Sequence, residues 1–96
     1  MITKKGEAID GLLAIASKLT KDWLKANPNC EEEEPWFFYK ANGLVEQSHD
    51  LDLAAGQSLS KDGRCQILLV SPDSTQALAR FSLTISKGEW LATTDC

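Results

Sequence analysis

Histidine occurs once, at His49, and the three cysteines, Cys30, Cys65 and Cys96, lie far apart rather than in close pairs. Zinc and dithiol redox sites need thiolates or imidazoles at short, repeated spacings, so the chain offers no such site and no metal or other cofactor is expected. Basic residues are also sparse in any one stretch. Lys and Arg number 10 against 14 Asp and Glu, a formal charge of −4, and they are scattered along the chain. A stripe of cations for a phosphate backbone is missing, which argues against a nucleic-acid partner. No run approaches the roughly 18 consecutive apolar residues that a membrane helix requires. Lys4 and Lys5 follow Met1 as in a secretory leader, but Glu7, Asp10 and Lys18 interrupt the apolar stretch that a leader needs. The expected location is therefore the cytoplasm, with the thiols reduced.

The chain of 96 residues is sized for one domain, 1–96, and its 43% hydrophobic and 25% charged residues are ordinary for a globular fold. Helical periodicity opens it. Ile9, Leu12, Leu13, Ala16, Leu19, Trp23 and Leu24 fall on one side at about 100° per residue, and Glu7, Asp10, Lys18, Lys21, Asp22 and Lys25 on the other. Ala8 and Ile15 widen the apolar arc beyond a coiled-coil seam, as suits a helix lying across a sheet. The pattern predicts a helix from Glu7 to Asn27, with Thr3 as N-cap, a left-handed residue at Asn27 and Pro28 beyond the end.

Glu31, Glu32, Glu33 and Glu34 form an acidic run before Pro35 that reads as a solvated loop. After Pro35 the period becomes two. Trp36–Ala41 and Leu44–Ser48 read as strands joined by Asn42-Gly43, the strongest short hairpin signal. Residues 49–63 mix polar residues with Leu51, Leu53 and Leu59, and are read as a possible continuation of the second strand that loops out to a turn at Lys61-Asp62-Gly63. Arg64–Val70, with Ile67, Leu68, Leu69 and Val70 unbroken, predicts a central strand. Ser71-Pro72-Asp73 suits either a hairpin loop or the start of a helix. Alternation of Ala77, Ala79, Phe81, Leu83 and Ile85 against Leu78, Arg80, Ser82 and Thr84 favours the hairpin, and Lys87-Gly88 turns into a last strand from Glu89. The expected fold is α+β: an N-terminal amphipathic helix packed on a four- to five-stranded antiparallel meander. In outline this resembles the cystatin and nuclear-transport-factor-like rolls. The Q-x-V-x-G hairpin of cystatin inhibitors is missing, so the resemblance is one of architecture and implies no activity.

Two groups of residues invite a function. Ser48-His49-Asp50-Leu51-Asp52 gathers a hydroxyl, an imidazole and two carboxylates, which makes His49, Asp50 and Asp52 candidates for a polar site. Neighbours along a strand point to opposite faces, however, and rarely form a nucleophile, base and orienter. A calcium loop beginning at Asp50 would need oxygen ligands where Ala54 stands and a glutamate where Lys61 stands. The second group is Trp36, Phe37, Phe38 and Tyr39. Alternation sends Trp36, Phe38 and Lys40 to one face and Phe37, Tyr39 and Ala41 to the other, and one helix covers only one face of a sheet. These aromatics are the candidate lining of an interface or a ligand pocket. The expected function is a non-catalytic binding or assembly module, its partner a second copy in a homodimer, another protein or a small apolar ligand. The alternative is a small enzyme that uses a pocket carboxylate or His49.

Overall fold

In the computed structural model, which describes residues 4–58 and 63–95, the elements run α1 (Lys5–Ala26), β1 (Trp36–Ala41), β2 (Leu44–Ser48), α2 (Leu51–Ser58), β3 (Gly63–Val70), β4 (Ala77–Ser86) and β5 (Glu89–Asp95). The strands form one antiparallel sheet in the order β2-β1-β3-β4-β5. This is the expected α+β class, an N-terminal helix on a five-stranded antiparallel sheet, with β3 at its centre. The order is not that of a simple meander, because β1 and not β2 lies beside β3. No helix among the described residues is long and apolar enough to cross a membrane.

Both predicted tight turns form. Asn42 and Gly43 have φ of 53° and 79°, and Lys87 and Gly88 have 53° and 79°. Two successive positive φ values give the primed turn whose twist matches the flanking strands. At the foot of α1 the chain departs from expectation: Asn27 has φ −131° and ψ 66°, so it is not left-handed. It closes the helix through its amide instead, Nδ2 donating to the Trp23 carbonyl at 2.9 Å. Lys4 occupies the N-cap without a side-chain bond, and Thr3 lies outside the described residues.

The main correction to the sequence reading is α2. Residues 51–58 do not extend β2; they form a two-turn helix. Asp50 caps it, its Oδ1 accepting from the amides of Asp52 at 3.0 Å and Leu53 at 3.3 Å, while the Ala54 amide donates to the Asp50 carbonyl at 3.0 Å. A carboxylate here satisfies two of the amides that a helix start leaves unpaired. Leu51, Ala54 and Ala55 are then buried against the sheet, and the Tyr39 hydroxyl donates to Gln57 Oε1 at 2.6 Å. The turn expected at 61–63 falls largely outside the described residues.

One core results. Ile9, Leu12 and Ala16 of α1 and Leu51, Ala54 and Ala55 of α2 pack with Phe37, Tyr39, Ile67, Leu69, Phe81 and Leu83 of the sheet. At the far end, Trp23 Nε1 donates to Gln76 Oε1 at 3.1 Å and ties α1 to the β3–β4 connection. That connection is a hairpin loop rather than a helix. Asp73 Oδ1 accepts from the Ser71 hydroxyl at 2.7 Å, the Thr75 hydroxyl at 2.6 Å and the Thr75 amide at 3.1 Å.

Those donors, Thr75 first and then Ser71, hold the Asp73 carboxyl below the ordinary aspartate value. A depressed folded value means that the stabilisation is complete above the ordinary aspartate range and is lost as pH falls through the folded value. Urea unfolding of the native chain and of Asp73→Asn over a pH series should therefore show a native advantage at neutral pH that shrinks in acid. A gap that is constant down to strongly acid pH would show that the carboxylate's charge does not hold the loop.

Candidate functional site

Register assigns the side chains to the two faces of the sheet. Phe37↔Leu69, Leu69↔Ala79, Ile67↔Phe81 and Cys65↔Leu83 are paired on the face under the helices. On the opposite face one row crosses all five strands: Gln47, Phe38, Leu68, Arg80 and Asp95. Directly opposed residues share a face, so this row looks away from both helices. Phe37 and Tyr39 are buried in the core at 2% and 5% exposure, and Tyr39 also borders a cleft between β1 and β3. The outward pair is Trp36 and Phe38, both half-buried.

Trp36 is covered from within the chain. Its ring stacks on the His49 imidazole, with centroids 3.7 Å apart, and His49 Nδ1 lies 2.8 Å from the Pro35 carbonyl oxygen, to which only a protonated nitrogen can donate. Glu34 approaches the same nitrogen at 3.9 Å. The three candidates of the polar string thus serve three separate ends: His49 anchors the strand entrance, Asp50 caps α2, and Asp52 pairs with Lys5 of α1 at 3.5 Å. They do not converge. No group of three metal-ligating side chains occurs among the described residues.

Phe38 borders a broad concavity. β1 pairs with β2 from Phe37 to Ala41, but with β3 only at Trp36, Phe37 and Phe38. Beyond that point β1 and β3 are no longer joined, while β3 stays paired with β4 along its whole length. The separation opens a cleft of about 660 Å³ that reaches from the outward face, where Phe38, Val45 and Leu68 make its apolar wall, through the gap to Tyr39, Cys65 and Ser58 of α2. Val45 is 63% exposed. Around this wall stand Lys40, Arg64 and Arg80, with Gln66 between them. None of these three cations makes an ion pair among the described residues. Among the described residues no acid lines the cleft, and Arg80 makes no ion pair with Asp95, its register neighbour.

At the floor the Cys65 thiol is 3.3 Å from the Ser58 hydroxyl, which itself donates to the Ala54 carbonyl at 2.6 Å. Burial pushes this thiol above its ordinary value, and the Ser58 hydroxyl offsets only part of the rise. Cys65 is therefore largely protonated at neutral pH and a weak nucleophile, slow to react with an alkylating reagent. A smaller hollow of about 260 Å³ lies between α1 and the segment before β1, bordered by Thr20, Pro35 and His49. Thr20 Oγ1 beside it is buried without a partner.

The cation cluster is the feature that sequence reasoning missed. Lys40, Arg64 and Arg80 are separated widely along the chain and meet only through strand pairing. The available signal was their parity, since each occupies the outward register of a strand whose inward register is apolar. Comparison with family models, with curated proteins and with solved structures found no match to this chain.

Replacing His49 by alanine removes a ring stack and a hydrogen bond at a partly exposed site. The expected loss is about 1 kcal/mol of unfolding free energy in urea, with far-ultraviolet circular dichroism unchanged. Loss of the fold would make His49 a core element instead of an anchor.

Proposed function

We propose that the protein is a non-catalytic binding module that works through the open face of its sheet and acts in the cytoplasm. One observation carries this reading: both helices pack on the same face, and the other face opens into a cleft with an apolar wall and three cations that make no ion pair among the described residues. Exposed apolar surface and unsatisfied charge cost stability, and surfaces that retain both are commonly binding surfaces. The fates of His49, Asp50 and Asp52 support the same reading over the enzyme alternative, because each is committed to holding the fold. The raised thiol of Cys65 points the same way.

A second copy of the chain is the simplest occupant by apolar area alone, as a twofold dimer centred on Phe38, Val45 and Leu68. The surplus that favours it is smaller than an uncovered aromatic strand would leave, since His49 covers Trp36. Light scattering at tens of micromolar measures it. A dimer that Phe38→Glu converts to a folded monomer places the contact on the open face. A dimer that survives both Phe38→Glu and Leu68→Glu contradicts the assignment of this face, and a native monomer reserves the face for a different ligand.

A further inference from the structure

We infer that the cleft between β1 and β3 binds a small anionic amphiphile, an acyl or aryl body carrying one carboxylate or similar head. The inference rests on the open face being the binding surface and adds the chemistry of what it takes. Three features specify that chemistry. The wall of Phe38, Val45 and Leu68 offers apolar contact to one side of a ligand. Lys40 and Arg64 stand on the two strands that separate, and Arg80 stands beside Leu68 on the next strand, so the cations flank the wall. Their charge is unspent within the described residues, in a chain whose net charge is −4. An acidic molecule that lines one concavity with three cations, and no acid among the described residues, is complementary to an anion there, and poorly complementary to its own image in a twofold contact.

Size separates a small ligand from an extended one. The cleft holds about 660 Å³, within the range of small-molecule sites. The β1–β3 ladder at Trp36, Phe37 and Phe38 closes it at one end. A cation near an apolar wall gains more from a bound anion than it would in open water, because the ligand body displaces solvent from the pair. Cys65 at the floor supplies a second readout, as a bound body shields its thiol.

The matched probes are 8-anilinonaphthalene-1-sulfonate and its uncharged parent, N-phenyl-1-naphthylamine, each titrated by fluorescence into the full chain. The sulfonate should saturate at one per chain and bind about tenfold tighter than the parent, the value of one charge-assisted bond. Arg64→Gln and Lys40→Gln lie at exposed positions where folding is not at risk, and the two combined should erase most of that preference while leaving the parent's affinity unchanged. Decanoate should displace the dye and slow alkylation of Cys65. Equal affinity for the two dyes, or a preference that survives both substitutions, would overturn the inference. So would displacement by an octaglutamate peptide but not by decanoate, which would give the cleft to an acidic peptide. Dye affinity that falls as protein concentration rises would give it to a second copy, leaving the open face as binding surface but sinking the anionic ligand.

Discussion

The inward rows of the sheet, Phe37 with Leu69, Ile67 with Phe81 and Cys65 with Leu83, need a cover, and α1 and α2 together supply it from one side. Everything else in the molecule follows from that one-sided packing. Because strand parity is strict, committing these residues to the helices commits their neighbours to the other face. There the chain must place whatever remains, and it places Phe38, Leu68, Gln66, Arg64 and Arg80. The outward face is in this sense the complement of the core, and neither can change register without the other.

The same constraint accounts for the opening between β1 and β3. Tyr39 and Leu51 are both buried in the core, and the Tyr39 hydroxyl is bonded to Gln57, so β1 is drawn to α2 where it leaves β3. β3 meanwhile keeps its full ladder with β4. A strand held by a helix on one course and a strand held by its neighbour on another separate, and the sheet is left with a concavity between them. Gaps of this kind are costly in backbone hydrogen bonds.

Local signals in the sequence made most of the fold legible. The helical stripe from Ile9 to Trp23, the Asn42-Gly43 and Lys87-Gly88 turns and the alternation from Ala77 to Ile85 are each decided within a few residues, and the structure has them at those positions. The helix from Leu51 to Ser58 was less legible because its apolar residues are few and its cap, Asp50, sits in a string that also suits a strand end or a polar site. Only burial of Leu51, Ala54 and Ala55 against β1 decides between them, and that is a tertiary fact. The candidate site divides in the same way. That half of the aromatic strand would face outward follows from parity; which half depends on where two helices pack. The convergence of Lys40, Arg64 and Arg80 depends on three strands pairing across the sheet, and no local pattern encodes it.

Amide chemical-shift mapping tests the central claim most directly, that the uncovered face is where the protein binds. Titration of the isotope-labelled chain with decanoate is predicted to shift the amides of Phe38 to Lys40, Arg64 to Leu68 and Arg80 together, at one common affinity, with the amides of α1 unmoved. Shifts confined to α1 and the segment before β1, or the absence of any saturable shift together with a native monomer in solution, would contradict the account.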